Sequence, residues 1–195
     1  KVGKLVSKMK VTSRILYLIY LGLTIIQILL LWLGPDEKMT LFNSVIYSLG
    51  TAGTGGFSTR NSGISEYSSY SQIVITIFML IFGINFNLYY LMLIGKFRAA
   101  FKSDELWFFT ALVLFCIGAI TLNILPMFDT LSEAIRTSAF QVCSIVSTTG
   151  YATADFNLWP NFAKSLLLLL MVIGRFIHPL QNWARHFASN LDDTQ

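Results

Sequence analysis

Two stretches decide the fold of this sequence: LFNSVIYSLGTAGTGGFST at residues 41–59 and AIRTSAFQVCSIVSTTGYAT at residues 134–153. Each begins with a short apolar run of helical character and continues with threonine, small residues, a glycine, an aromatic residue and threonine. At an offset of 94 residues the matching pairs are Ser44 with Ser138, Thr54 with Thr148, Gly56 with Gly150, Phe57 with Tyr151, and Thr59 with Thr153. Such self-similarity at a fixed spacing indicates a duplicated structural unit.

Long apolar segments flank both stretches. Residues 15–34 carry no charged side chain, and a helix of that length matches the roughly 30 Å hydrocarbon core of a membrane. Further spans are predicted at 73–95, interrupted only by Asn85 and Asn87, at 107–125 and at 163–180. The chain is 54% hydrophobic and only 12% charged, whereas soluble domains average about 25% charged residues. The sequence therefore predicts an all-α integral membrane protein.

The repeat divides the 195 residues into three parts. Residues 1–98 and 99–174 are each predicted to form a helix, a re-entrant loop and a second helix, and residues 175–195 are predicted to form an atypical cytoplasmic tail. Ten of the 14 lysine and arginine residues fall on one side of these spans. Short loops rich in lysine and arginine stay in the cytoplasm, so both termini and the middle loop are predicted to be cytoplasmic. The four exceptions are Lys38, Arg60, Arg136 and Lys164.

The repeated loops have the composition of an ion filter. Main-chain groups outside helices cannot face lipid unpaired, because each would cost several kcal/mol. The segments TGGFS at 54–58 and TTGYA at 148–152 follow the Thr-Val-Gly-Tyr-Gly pattern of potassium filters, in which carbonyl oxygens replace the ion's hydration shell. Glycine permits the backbone angles that keep successive carbonyls on one side, threonine adds a hydroxyl ligand, and the aromatic residue supports the strand from behind. The preceding short helices, predicted at 41–49 and 131–143, would direct their negative C-terminal ends at a cation.

The predicted potassium-binding residues are Thr54, Gly55, Gly56, Phe57, Ser147, Thr148, Thr149, Gly150 and Tyr151. The transported potassium ion is the only ligand that the sequence predicts, and no covalent cofactor is expected. Lysine and arginine are split between loops rather than gathered on one face, which argues against a nucleic-acid partner. No Ser, His and Asp set, carboxylate pair or metal cluster converges at one depth, so no enzymatic class is favoured.

Two other readings of the loops stay open. One is a channel for a neutral solute such as water or urea, which would use the same re-entrant loops. The other is a membrane subunit or fragment that conducts nothing.

Three segments resemble the TrkH/KtrB family of bacterial potassium uptake subunits: GTAGTGGFSTRNSGI at 50–64, FMLIFGINFNLYYLMLIGKF at 78–97 and SIVSTTGYATADFNLWP at 144–160. The resemblance implies a potassium-channel-like fold with four repeats of helix, pore loop and helix in one chain, of which this chain supplies repeats two and three. It also implies Trk-type potassium uptake across the bacterial inner membrane. Gly56 and Gly150 carry over as filter glycines, with Thr54, Gly55, Thr148 and Thr149 as neighbouring ion-coordinating positions.

The same resemblance implies partners. These are the missing pore repeats or a second copy of the chain, a homodimer of full-length chains, and a cytosolic nucleotide-binding ring of the TrkA or KtrA type under the loop at 96–102. One segment departs from the family. Where the family has a gate rich in glycine, serine and threonine, this sequence reads GRFIHPLQNWARHFASN at 174–190.

Overall fold

The computed structural model describes residues 2–84, 89 and 104–173. These residues form helices and no strand, as the sequence predicts. The helices are α1 (Val2–Trp32), α2 (Leu41–Ala52), α3 (Ser69–Gly83), α4 (Asp104–Ile124), α5 (Leu131–Val146) and α6 (Asn161–Ile173), with short 3-10 turns at Leu125–Met127 and Phe156–Leu158.

The helices occur in the same order twice. A long helix, a short helix, an extended loop and a third helix appear as α1, α2 and α3 and then as α4, α5 and α6. In each half the long helix packs on the short one, α1 on α2 and α4 on α5. Helix α3 contacts both α2 and α5, so it joins the two halves.

Two helices in the described part of the chain are long and apolar enough to cross a membrane, Arg14–Trp32 and Leu106–Met127. They lie within a few residues of the predicted spans at 15–34 and 107–125. Large apolar side chains on both are exposed, among them Tyr17, Ile25, Trp32, Phe108, Phe115 and Leu122. An apolar surface of this kind is stable against lipid and unfavourable in water.

The predicted span at 73–95 differs from the structure in its described part, and residues 85–88 and 90–95 lie outside the described residues. Helix α3 starts earlier, at Ser69, and ends at Gly83, after which Ile84 is extended (φ −78°, ψ 146°). Glycine is a weak helix former, and a Cβ at position 83 would lie 3.5 Å from the Cβ of Ser147. The helix therefore ends where it passes the start of the second loop. Asn85, Asn87, the end of the span predicted at 163–180 and the predicted tail at 175–195 lie outside the described residues.

The short helices begin where the sequence predicts and end later. Thr40 and Thr130 are their N-caps, and each side chain accepts a hydrogen bond of 3.3 Å from the main-chain N–H three residues on. Such caps pair N–H groups that the first turn leaves free. Helix α2 continues three residues beyond the predicted end at 49, and α5 three residues beyond 143.

Candidate functional site

Both short helices end in the same hydrogen-bond pattern. After α2 the donor and acceptor pairs are Gly53 to Leu49 (2.8 Å), Thr54 to Thr51 (3.2 Å) and Gly55 to Gly50 (2.8 Å). After α5 they are Ser147 to Cys143 (2.9 Å), Thr148 to Ile145 (3.0 Å) and Thr149 to Ser144 (2.9 Å). The second set repeats the first at the 94-residue offset. Each set is a Schellman ending, in which the chain leaves the helix through one left-handed residue.

Threonine occupies that left-handed position in both loops. Thr54 has φ 49° and Thr148 has φ 58°, although glycine is the usual residue there and a β-branched residue at positive φ is an outlier. Two residues later Gly56 (φ 63°) and Gly150 (φ 87°) are also left-handed, and the residues between are not. Alternation of this kind keeps successive carbonyls on one side of the strand, as a carbonyl-lined ion path requires.

The two loops meet backbone to backbone. A Cβ at Gly56 would overlap the carbonyl oxygen of Thr149 and lie 3.3 Å from the carbonyl carbons of Thr149 and Gly150. The contact between the loops therefore leaves no room for a side chain at position 56. At Gly150, the equivalent position of the second loop, no atom of the described chain lies within 4 Å of an added Cβ.

The predicted site residues divide by exposure. Thr54, Thr148 and Gly150 are exposed, and Gly55 and Gly56 are half-buried. The structure thus places Gly56 against the Thr149 carbonyl and leaves Thr54, Thr148 and Gly150 exposed.

The other predicted site residues lie elsewhere. Ser147 and Thr149 have buried side chains whose hydroxyl oxygens are 2.7 Å apart. Tyr151 is 2% exposed and Phe57 is 72% exposed. The rings of these two aromatic residues, equivalent in sequence, therefore occupy different surroundings: the Tyr151 ring is buried and the Phe57 ring is exposed.

Tyr151 connects the second loop to the first repeat. Its hydroxyl donates to the carbonyl oxygens of Tyr47 (3.2 Å) and Phe57 (3.3 Å), and its ring lies 5.8 Å from that of Tyr47. Tyr47 lies 5.2 Å from Tyr67 in an edge-on contact, and its hydroxyl is 2.9 Å from the Ser58 hydroxyl. These aromatic residues hold the outer half of the first loop from behind.

Sequence reasoning missed polar groups on α1 that support the first loop. The Gln27 side chain, fully buried, donates to the Thr51 hydroxyl at 3.2 Å, and the Tyr20 hydroxyl donates to the Ala52 carbonyl. Thr51 and Ala52 are the last residues of α2, just before the loop. A glutamine in an apolar span is a signal for function or helix packing and could have identified this contact.

Charged side chains near the first loop are paired with each other. The Arg60 guanidinium lies 2.6 Å from Glu66 and 5.7 Å from the centre of the Tyr67 ring. Hydrogen bonds from Ser62 and Arg60 lower the pKa of Glu66. Arg60 therefore contacts Glu66 and Tyr67, and the Glu66 carboxylate balances its positive charge. Among the described residues no group of three His, Cys, Asp or Glu side chains could hold a metal ion.

The family model described as TrkH, cation transport protein, matches residues 1–177. The Trk system potassium uptake protein TrkH of Escherichia coli strain K12 is 32% identical over 178 residues, which cover 89% of this chain and 36% of the relative. TrkH of Salmonella typhimurium is 30% identical over 178 residues with the same coverage. This chain thus spans 36% of the length of these curated relatives.

A solved structure shares the fold. The crystal structure of the potassium transporter TrkH from Vibrio parahaemolyticus matches with a TM-score of 0.74 and 28% identity, covering 84% of this chain and 36% of that one. The all-α membrane fold predicted from the sequence is confirmed by this match. The predicted family resemblance is likewise confirmed.

Proposed function

Because this chain belongs to the TrkH family of cation transport proteins, we propose that its two loops form part of a potassium-selective filter. The transporter would take up potassium across the bacterial inner membrane; potassium uptake is the role that the names of the relatives give for those proteins. The proposed ion path is lined by the main chain of residues 54–56 and 148–150, with the Thr54 and Thr148 hydroxyls at its inner end.

One observation carries this proposal. Two loops with alternating backbone handedness lie so close that a Cβ at Gly56 would overlap the Thr149 carbonyl oxygen. Carbonyl oxygens suit K⁺ because they replace its hydration shell without adding fixed charge. A turn that merely joined two helices would need neither the alternation nor the backbone contact.

The ends of the short helices add a favourable field. Helices α2 and α5 both terminate at the loops, at Ala52 and Val146. A helix C-terminus carries a partial negative charge equivalent to about half an electron. Two such ends directed at the loops favour a cation over an anion.

Further protein would complete the pore. The first repeat has a neighbour beside its filter glycine, whereas Gly150 faces open space in the described chain. Beside it lies a cavity of about 410 Å³ lined by Gln141, Ile145, Gly150, Ala152, Phe156 and Leu168. Gln141 is the sequence equivalent of Tyr47, which contacts Tyr151 in the first repeat. We propose that a third loop, from further repeats of the same chain or from a second copy, fills this cavity as Tyr151 fills its counterpart.

Four finer features stay predictions. The repeat boundaries at 1–98 and 99–174 and the cytoplasmic termini follow from the sequence pattern. A homodimer follows from the family resemblance. The cytosolic nucleotide-binding ring would contact residues 96–102, which lie outside the described residues.

Rubidium uptake tests the proposal. Cells that lack potassium uptake systems would express this chain, or a chimera in which it replaces the matching segment of the Escherichia coli relative. We expect the chimera to take up ⁸⁶Rb⁺ in competition with K⁺ and much less with Na⁺. Gly56→Ala should abolish uptake, and Gly118→Ala is the matched control, because an added Cβ there meets no described atom within 4 Å.

The outcomes separate the alternatives. Uptake that survives Gly56→Ala would contradict the filter. Osmotic swelling without ⁸⁶Rb⁺ uptake would favour a neutral-solute channel. A chimera that reaches the membrane and transports neither would favour a non-conducting subunit.

A further inference from the structure

Each loop has one carbonyl that is hydrogen-bonded to a hydroxyl group behind it. The Tyr151 carbonyl accepts from the buried Ser144 hydroxyl at 2.6 Å. The Phe57 carbonyl accepts from the Tyr151 hydroxyl at 3.3 Å. Phe57 and Tyr151 are equivalent residues, directly after the filter glycines. The same carbonyl is thus held from behind in both loops.

The two hydroxyl groups come from different places. Ser144 belongs to α5, the helix of its own repeat, and its equivalent in α2 is Gly50. A Cβ at Gly50 would overlap the Tyr151 hydroxyl oxygen and lie 3.6 Å from the Phe57 carbonyl oxygen. The Tyr151 hydroxyl therefore occupies in the first repeat the place that the Ser144 side chain occupies in the second. Glycine at position 50 makes room for it.

These hydrogen bonds turn the Phe57 and Tyr151 carbonyl oxygens away from the proposed ion path. A carbonyl accepts hydrogen bonds near its lone-pair directions, so an oxygen bonded to a group behind the strand is turned toward that group. Ser144 lies behind the second loop in the core, and the Tyr151 hydroxyl reaches the first loop beside α2. Gly56, in contrast, faces the Thr149 carbonyl across the contact between the loops.

We propose that Ser144 and Tyr151 are positioning residues that turn the outermost carbonyl of each loop away from the ion path. The ion-binding carbonyls then end at Gly56 and Gly150. This inference rests on the proposed filter function and narrows its ligand set. Phe57 and Tyr151, which the sequence predicts as ion-binding residues, act behind the path instead.

The test first removes each of the two hydroxyl groups separately in the chimera. Tyr151→Phe frees the Phe57 carbonyl, together with the Tyr47 carbonyl that the same hydroxyl contacts at 3.2 Å. Ser144→Ala frees the Tyr151 carbonyl. A hydrogen bond of ordinary strength corresponds to about a fivefold change in an equilibrium constant. We expect each variant to raise the KM for Rb⁺ uptake about fivefold and to weaken discrimination against Na⁺.

A compensating pair distinguishes positioning from packing. Gly50→Ser alone should impair the chimera because its Cβ overlaps the Tyr151 hydroxyl. Gly50→Ser combined with Tyr151→Phe places a serine hydroxyl within reach of the Phe57 carbonyl, as Ser144 is in the second repeat. This pair should restore the KM for Rb⁺ and the discrimination against Na⁺. Gly50→Ala combined with Tyr151→Phe is the matched control, with the same Cβ and no hydroxyl, and should not restore them.

Three results would overturn the inference: an unchanged KM in Tyr151→Phe, an unchanged KM in Ser144→Ala, or equal rescue by the serine and alanine pairs. Absence of Rb⁺ uptake by the parent chimera would instead contradict the proposed function. In that event the melting temperatures of the purified variants in KCl and NaCl still test the exchange. The serine pair should recover the parent's melting temperature and the alanine pair should not.

Discussion

The two filter glycines have the same backbone conformation and different neighbours. Gly56 and Gly150 are both left-handed, at φ 63° and φ 87°. An added Cβ at Gly56 would overlap the Thr149 carbonyl oxygen, whereas at Gly150 it would meet no described atom within 4 Å. The repeat therefore sets the local fold of each loop, while the adjacent loop determines how much stability a substitution at its glycine costs.

The largest difference is expected between alanine substitutions at these glycines in the 195-residue chain. Gly56→Ala combines left-handed strain with overlap of backbone atoms and should lower the free energy of unfolding by about 3 kcal/mol or more. Gly150→Ala adds only strain, about 1–2 kcal/mol. Denaturant titration in detergent micelles measures both.

The same two substitutions in the chimera sharpen the comparison. If a third loop covers Gly150 there, the cost of Gly150→Ala should rise toward that of Gly56→Ala. Equal costs in the 195-residue chain would contradict the asymmetry between the loops.

Asp36 anchors the first repeat from the connection between α1 and α2. The buried carboxylate accepts hydrogen bonds from the N–H of Ser68 (2.6 Å), the hydroxyl of Ser71 (2.9 Å) and the N–H of Lys38 (3.2 Å). It thereby ties the α1–α2 connection to the start of α3. Burial raises the pKa of Asp36, but these hydrogen bonds together outweigh burial and hold the pKa below its usual value.

A pH titration tests this anchor. Because the folded-state pKa of Asp36 is lowered, its stabilisation is fully present above about pH 4, the pKa of an unfolded aspartate. It is lost as the pH falls through the lowered pKa. Asp36→Asn should lower the free energy of unfolding by about 2 kcal/mol at pH 7. The stability of the variant should also no longer show the loss at low pH that comes from Asp36. Identical acid dependence in the parent and the variant would contradict the anchor.

The left-handed threonines should respond alike in both repeats, unlike the glycines. Thr54→Gly and Thr148→Gly relieve the positive-φ strain of these Schellman endings. The gain in stability is partly offset because glycine has more conformational freedom in the unfolded chain. Each should raise the free energy of unfolding by about 1 kcal/mol. Melting temperatures of the two variants provide the measurement, and a clear loss of stability in either would contradict the strain.

The smallest effect is expected at Glu66, whose partner Arg60 has no charged counterpart in the second repeat, where Ala154 stands. Both side chains are exposed, and exposed ion pairs contribute little because solvent and salt screen them. Glu66→Gln should leave the melting temperature unchanged at physiological salt. A clear decrease would show that the pair stabilises the first loop.

The sequence predicted the parts of the fold that depend on neighbouring residues. The starts of α2 and α5 follow from Thr40 and Thr130, which are good N-caps directly before apolar runs. The ends were predicted three residues too early; in the first helix, Gly50 is a residue typical of a helix C-terminus. In the structure the helices continue to a left-handed threonine, and Gly50 instead leaves space for Tyr151.

The contacts between repeats could not be predicted in this way. Tyr151 and Phe57 are 94 residues apart, and local pattern does not show which aromatic residue reaches the other repeat. Phe57 was expected to take the same role as Tyr151, yet it is 72% exposed. The difference depends on which neighbour lies beside each loop, and that information is in the tertiary arrangement alone.

Anomalous scattering from rubidium tests the central claim most directly. Crystals of the chimera grown in RbCl should show Rb⁺ density beside the main chain of residues 54–56 and 148–150. The same crystals grown in NaCl should not show that peak. Absence of Rb⁺ density between these loops, with the loops ordered and in contact, would contradict a potassium filter.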